Sequence, residues 1–223
     1  MIKENLNTLI SKLPSGVRLV AVSKYHNAGE ILEAYEAGQR VFAESRPQEL
    51  VEKLKLCPDD IEWHFIGHLQ TNKLKMVLPY VSLVQSVDSV HLLSEIDRWG
   101  KANGRTVPVL LEMHIAAEQT KQGFVEEEIL ELLLSVAGDG RFPNVRFCGL
   151  MGMATNTDDD AAVDADFARI EDFFLYLRDL LPELTSFSEL SIGMSGDWPA
   201  AIRHGATMVR LGTCLFGEKN RPD

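Results

Sequence analysis

Short unbroken apolar runs alternate along this chain with stretches in which apolar residues recur three and four apart. The runs read as strands buried on both faces, the recurring stretches as amphipathic helices. Ile2, Leu6, Leu9, Ile10 and Leu13 place a helix over residues 2–13, ended by Pro14 and Gly16. A strand follows from residue 18, and its run Leu19-Val-Ala-Val22 stops at Ser23 and Lys24. Ile31, Leu32, Tyr35 and Ala37 then mark a helix that Gly38 closes. Further strands are expected at 40–45, 62–67, 82–88, 107–115, 145–153, 189–195 and 207–212. Between them, helices are expected at 47–56 with Pro47 in the first turn, at 70–77 before Pro79, at 89–101 capped by Ser89, and at 126–136. Another opens at 158–160, where three aspartates suit the N-terminal dipole, and runs to 181; a last one carries Pro199 early in it. About eight strands alternating with helices, with strand starts roughly 20 to 45 residues apart, make the βα units of a parallel sheet. The count favours a single-domain (β/α)8 barrel over residues 1–223 with an extra N-terminal helix. A doubly wound open sheet is the alternative, but no GxGxxG follows the first strand.

Composition narrows the partners. The chain has 223 residues, 45% hydrophobic and 25% charged, the balance of an ordinary globular protein. Its net charge of −11 argues against a nucleic-acid backbone or an anionic membrane as partner, so any phosphate must be held locally. No apolar stretch of a targeting signal follows Met1-Ile-Lys-Glu-Asn-Leu6, and no run nears the roughly 18 apolar residues of a membrane span. Cytoplasmic residence is expected, as a monomer or weak dimer. Cys57, Cys148 and Cys214 are odd in number and form no CxxC, so buried free thiols in a reducing compartment are expected.

Candidate chemistry lies at the strand ends, where barrels carry their sites. Lys24 ends the first strand, its stem in protein and its amine at the rim of a cavity. Desolvation there lowers an ammonium's pKa and makes the amine a nucleophile toward an aldehyde, whereas a lysine snorkelling into solvent would do neither. The loop after strand seven, Ser191-Ile-Gly-Met-Ser-Gly-Asp-Trp198, and that after strand eight, Arg210-Leu-Gly-Thr-Cys214, offer small residues and hydroxyls. Either could simply turn the chain; at these two barrel positions together they suit a phosphate cradled by backbone N–H groups. Strand one closes the ring beside strand eight, so Lys24 faces that cradle across the width of a small ring. Two ligands fit: pyridoxal 5′-phosphate on an internal Schiff base, and a phosphorylated sugar on an aldolase lysine. Other polar residues get simpler roles. His64 and His68 straddle a strand end and a turn with no third ligand beside them, which argues against zinc. Glu112 and His114 share one face of strand five and are expected to hydrogen-bond in the barrel interior, and Lys121 offers a place for a second anion or a cofactor in transit.

Val20-Ala-Val-Ser-Lys24, Trp63-His-Phe-Ile-Gly-His-Leu-Gln-Thr-Asn-Lys73, Gly149-Leu-Met-Gly-Met153, Ser191-Ile-Gly-Met-Ser-Gly-Asp197 and Val209-Arg-Leu-Gly-Thr213 together resemble the pyridoxal phosphate homeostasis protein family. Its members are single-domain relatives of the alanine racemase N-terminal barrel, and the resemblance spans about residues 18–217. It implies that Lys24 carries the Schiff base, that Ser191, Gly193, Ser195, Gly212 and Thr213 hold the phosphate, and that Arg210 faces the pyridine nitrogen. One departure falls on the second strand: the family's Phe-Gly-Glu-Asn-Tyr is here Phe42-Ala-Glu-Ser45-Arg46, and Ser45 offers the cofactor a hydrogen bond of shorter reach than the Asn. An arginine beside the pyridine nitrogen leaves it unprotonated and a poor electron sink, which disfavours aminotransfer. Racemisation needs a further acid/base opposite the lysine, and Tyr25, expected on the other side of its strand, is a poor substitute. The resemblance therefore implies a cofactor-buffering or delivering protein without firm catalytic activity, with apo-enzymes as recipients. The rival readings are an amino-acid racemase and a Schiff-base lyase or aldolase.

Overall fold

The structure, a computed structural model, describes residues 1–117 and 122–218. Lys121 lies outside the described residues. Eight parallel strands close into a barrel in sequence order, β1 (Arg18–Val22), β2 (Val41–Glu44), β3 (Glu62–Phe65), β4 (Leu83–Val87), β5 (Val107–Met113), β6 (Val145–Gly152), β7 (Glu189–Ser191) and β8 (Met208–Leu211). The expected barrel is the observed one. The closing seam pairs Arg18 with Met208 and Ala21 with Leu211, which sets the end of β1 beside the end of β8.

Strand parity divides the core in two. Val20, Val22, Val41, Ala43, Leu83 and Leu110 pack with one another inside the barrel. The alternate residues, such as Leu19, Ala21, Phe42 and Val84, join the larger core between barrel and helices. The helices are α1 (Ile2–Lys12), α2 (Ala28–Glu36), α3 (Pro47–Leu54), α4 (Leu74–Val77), α5 (Val90–Asn103), α6 (Glu126–Asp139), α7 (Asp160–Leu180), α8 (Trp198–Arg203) and α9 (Thr213–Phe216). Their starts follow local chemistry. Asn27 and Glu30 form a reciprocal capping box on α2, Pro47 opens α3, Ser89 caps α5 and Asp159 caps α7. Among the described residues no helix is long and apolar enough to cross a membrane.

Three elements differ from expectation: the helix expected at 70–77 opens as a 3-10 turn over Thr71–Lys73 and is α-helical only over Leu74–Val77, and the other two differences lie at the site. β7 stops at Ser191 rather than 195, because Gly193 turns the chain out of the sheet at φ +91°. A Cβ there would lie 2.6 Å from that of Ala201 on α8, so only glycine lets this loop pack so closely. Beyond β8, residues 213–216 form α9, a single turn too short to show a period. Of the three free cysteines only Cys57 is buried; Cys148, in the middle of β6, and Cys214, on the turn that follows β8, are half-buried.

Candidate functional site

At the C-terminal ends of β1, β7 and β8 lies a cavity of about 250 Å³. Lys24, Ser195, Gly196, Arg210, Gly212 and Thr213 line it on the polar side. Val22, Ile66, Met151, Met153 and Met194 form the apolar wall. Its mouth shares Met153, Met194 and Gly196 with a wider groove of about 770 Å³ between the loop after β6 and the start of α8.

Lys24 shares strand parity with Val20 and Val22, which is why it belongs to the interior side while Ser23 turns outward. The turn that carries it is held from behind. Ser23 is fully buried; its hydroxyl donates to Glu44 Oε1 (2.6 Å) and its carbonyl accepts from Lys53 Nζ (2.8 Å). Lys53 Nζ also donates to Glu44 Oε1 (2.6 Å) and Glu49 Oε2 (3.2 Å). Glu49 in turn accepts from the backbone N–H of Tyr25 (2.9 Å). Tyr25 adopts φ +69°, a conformation unfavourable for an aromatic residue, beneath the Arg46 guanidinium, which donates to its hydroxyl (2.8 Å). Both neighbours of Lys24 are thus fixed by one cluster on β2 and α3. Burial pushes the Glu44 carboxyl up despite Lys53, and its Oε2 has no hydrogen-bond partner among the described residues.

Arg210 is 4% exposed. Its Nη1 donates to the Ser191 carbonyl (2.6 Å) and hydroxyl (2.7 Å), and its Nη2 to the Gly152 carbonyl (2.9 Å). Its backbone N–H donates to Gly193 O (2.9 Å). Burial lowers its pKa to about 10, against the pull of Asp197 and Glu112, so at neutral pH it remains a cation. Glu112, also buried, is pushed up to about 7 by desolvation and then by the Asp88 charge, while Arg210 and His68 pull it down.

The Ser195 hydroxyl accepts from two backbone N–H groups, of Gly212 and Cys214 (3.3 Å each). Two amides converging on one oxygen mark a place where an anionic oxygen can be held. The sequence-derived site residues therefore divide. Lys24, Ser195, Arg210, Gly212 and Thr213 meet in the cavity. Ser191 and Gly193 lie one layer beneath, bonded to Arg210. Ser45 does not line the cavity; its backbone abuts Gly67, where a Cβ would lie 2.1 Å from the Ser45 carbonyl oxygen. Tyr25 does not line it either. Sequence reasoning passed over Lys53 and Glu44, whose only signal was polarity at positions the helix and strand patterns bury. His64 is buried in the interior, His68 pairs with Asp88 (2.9 Å), and no group of three or more His, Cys, Asp or Glu among the described residues is arranged to hold a metal.

The alanine racemase N-terminal domain family matches residues 1–220. The chain is 34% identical to the pyridoxal phosphate homeostasis protein of Haemophilus influenzae, over 98% of this chain and 96% of that one. It is 36% identical to the human protein of that name, over 91% of this chain and 77% of that one. Among solved structures, PipY of Synechococcus elongatus PCC7942 is 38% identical and covers 97% of this chain and 100% of its own; its form without PLP superposes with a TM-score of 0.91 and its PLP-bound form with 0.87. Alanine racemase of Clostridium difficile shares the fold, with a TM-score of 0.75 at 17% identity, this chain spanning 57% of its length. By sequence and by fold, the chain belongs to the pyridoxal phosphate homeostasis protein family, on the barrel of the alanine racemase N-terminal domain.

Proposed function

We propose that this protein binds pyridoxal 5′-phosphate through Lys24 and buffers or hands on the cofactor rather than turning over a substrate. One observation carries the reading: an amine, a buried guanidinium and a pair of converging backbone amides all border a single cavity. The donor set suits the ligand. Ser195, Thr213 and the backbone at Gly212 would take the phosphate, and Arg210, charged at neutral pH, would donate to the pyridine nitrogen and keep it unprotonated. Ser191 and Gly193 serve the cofactor through Arg210. The volume, below the roughly 300–1,000 Å³ of pockets for drug-sized ligands, suits one small ring with its phosphate. When bound, the cofactor would supply an aldehyde within reach of the Lys24 amine as nucleophile. The PLP-bound form of PipY and the names of the curated relatives support the assignment.

The test is the absorption spectrum of the purified protein before and after borohydride, beside Lys24→Ala. A yellow protein whose label is fixed by borohydride on Lys24, and a variant without it, are expected. A colourless protein that takes up no added pyridoxal phosphate, but is trapped by borohydride in the presence of a phosphorylated sugar, would replace this reading with an aldolase.

A further inference from the structure

Among the described residues no carboxylate is in hydrogen-bond contact with Arg210, although a buried guanidinium is usually held by one. What holds it instead can be followed through the barrel. The Ser191 hydroxyl accepts from Arg210 Nη1, so its own proton goes to Gln85 Oε1 (2.7 Å). That orients the Gln85 amide, and its Nε2 donates to His64 Nδ1 (2.8 Å). His64 therefore carries its proton on Nε2, 3.1 Å from Glu62 Oε1. This bond, and behind it the charge of Arg18 (3.6 Å), hold the Glu62 carboxyl below its usual range. The links pass from β8 through β7 and β4 to β3, all pointing from cation to carboxylate, and Ser191, Gln85 and His64 are each fully buried.

The surroundings leave this chain little choice. Around Gln85 the interior neighbours Val20, Val22, Leu83 and Leu110 offer neither donor nor acceptor; Met208 Sδ, 3.9 Å from Gln85 Nε2, is a weak acceptor, and Glu112 acts on Arg210 through its charge without a hydrogen bond to it among the described residues. If His64 took its proton on Nδ1, Gln85 would have to flip and present its NH2 to Ser191. The Ser191 hydroxyl, already accepting from Arg210, would then lose its acceptor. One reversed link thus orphans a buried donor beside the guanidinium.

We propose that Gln85 and His64 are positioning residues, which fix the Ser191 hydroxyl as an acceptor and so hold Arg210 against the cofactor ring. The proposal rests on the reading of Arg210 as the partner of the pyridine nitrogen. Neither residue lines the cavity. Gln85→Leu keeps the volume and breaks the chain, and His64→Phe breaks it one link farther away should the first variant fail to fold. Val84→Ala, on the outer face of the same strand, controls for lost stability. In protein loaded with pyridoxal phosphate, Gln85→Leu or His64→Phe is expected to speed cofactor release about tenfold, and Val84→Ala less than about twofold. Combined with Arg210→Gln, Gln85→Leu should add nothing further. Cofactor-free protein labelled with ¹⁵N-histidine should show His64 with its proton on Nε2, and Arg210→Gln should disturb that state while Val84→Ala does not. Release rates that follow the control, an additive double variant, or a His64 proton on Nδ1 would overturn the proposal. Were the protein to bind no cofactor, the proposed function would fall on its own test, and the His64 spectra would still decide whether Arg210 and His64 are coupled.

Discussion

Glu112 shows how a buried acid can be read through proton linkage. It faces the interior near Arg210, and burial and the Asp88 charge raise it from 4.5 to about 7. In that window the folded protein keeps the proton that the unfolded chain has lost. The folded state binds more protons, so stability falls as pH rises from about 4.5 to 7. The full shift corresponds to about 3 kcal/mol. Glu112→Gln, neutral throughout, should flatten this dependence: in urea titrations of the cofactor-free protein, wild type and variant should be closest at or below about pH 4.5, and the variant should gain by pH 8. Parallel curves would show that Glu112 ionises freely in the fold. This residue was only partly legible in the sequence. Alternation on β5 put Glu112 and His114 on the inner face, but its raised pKa comes from the depth of its burial and then from Asp88, twenty-four positions earlier on the neighbouring strand's exit.

At the scale of elements, α3 does more than cover β1 and β2. Through Lys53 and Glu49 it grips both neighbours of Lys24. Lys53→Met leaves the Glu44 carboxylate buried without its cation, which should cost about 3–5 kcal/mol. Replacing both partners, Lys53→Met with Glu44→Leu, should recover most of that stability in denaturant titrations, since an apolar pair of similar volume avoids the desolvation of two charges. The same double variant should still hold the cofactor less firmly, because Ser23 loses its bonds to Glu44 and Lys53, and Glu49, which holds the Tyr25 N–H, loses its bond to Lys53. A double variant as unstable as the single one would assign the cluster's value to its hydrogen bonds with Ser23 rather than to charge pairing. Elements with a strong period were legible: eight apolar runs gave eight strands, and Pro47, Ser89 and the aspartates at 158–160 marked helix starts. The short pieces at the site were not. The early end of β7 follows from the contact of Gly193 with α8, and α9 is a single turn; both depend on tertiary packing that no local pattern carries. The same holds for the chain from Arg210 to Glu62, whose links join residues 19 and more positions apart except the last.

Across the whole molecule, the described lining of the cavity carries one amine, Lys24, and no second acid/base group facing it. Apart from Lys24 and Arg210, the described residues lining the cavity are apolar, glycine or hydroxyl-bearing. Arg210 keeps its proton up to about pH 10 and serves poorly as a base, and Tyr25 is drawn away under Arg46. Racemisation requires a proton to leave one face of the α-carbon and return to the other, so a single amine cannot complete it efficiently. With Arg210 at the ring nitrogen, as proposed above, the bound cofactor would be a weaker electron sink for a developing carbanion. Both effects act in the same direction. Alanine incubated with loaded protein in deuterated water should therefore exchange its α-proton no faster than with free pyridoxal phosphate at equal concentration, as followed by proton NMR. Exchange with retention of configuration would mean that Lys24 works alone from one face. Exchange with inversion at a catalytic rate would demand a second acid/base at the cavity mouth and would make the protein a racemase rather than a carrier.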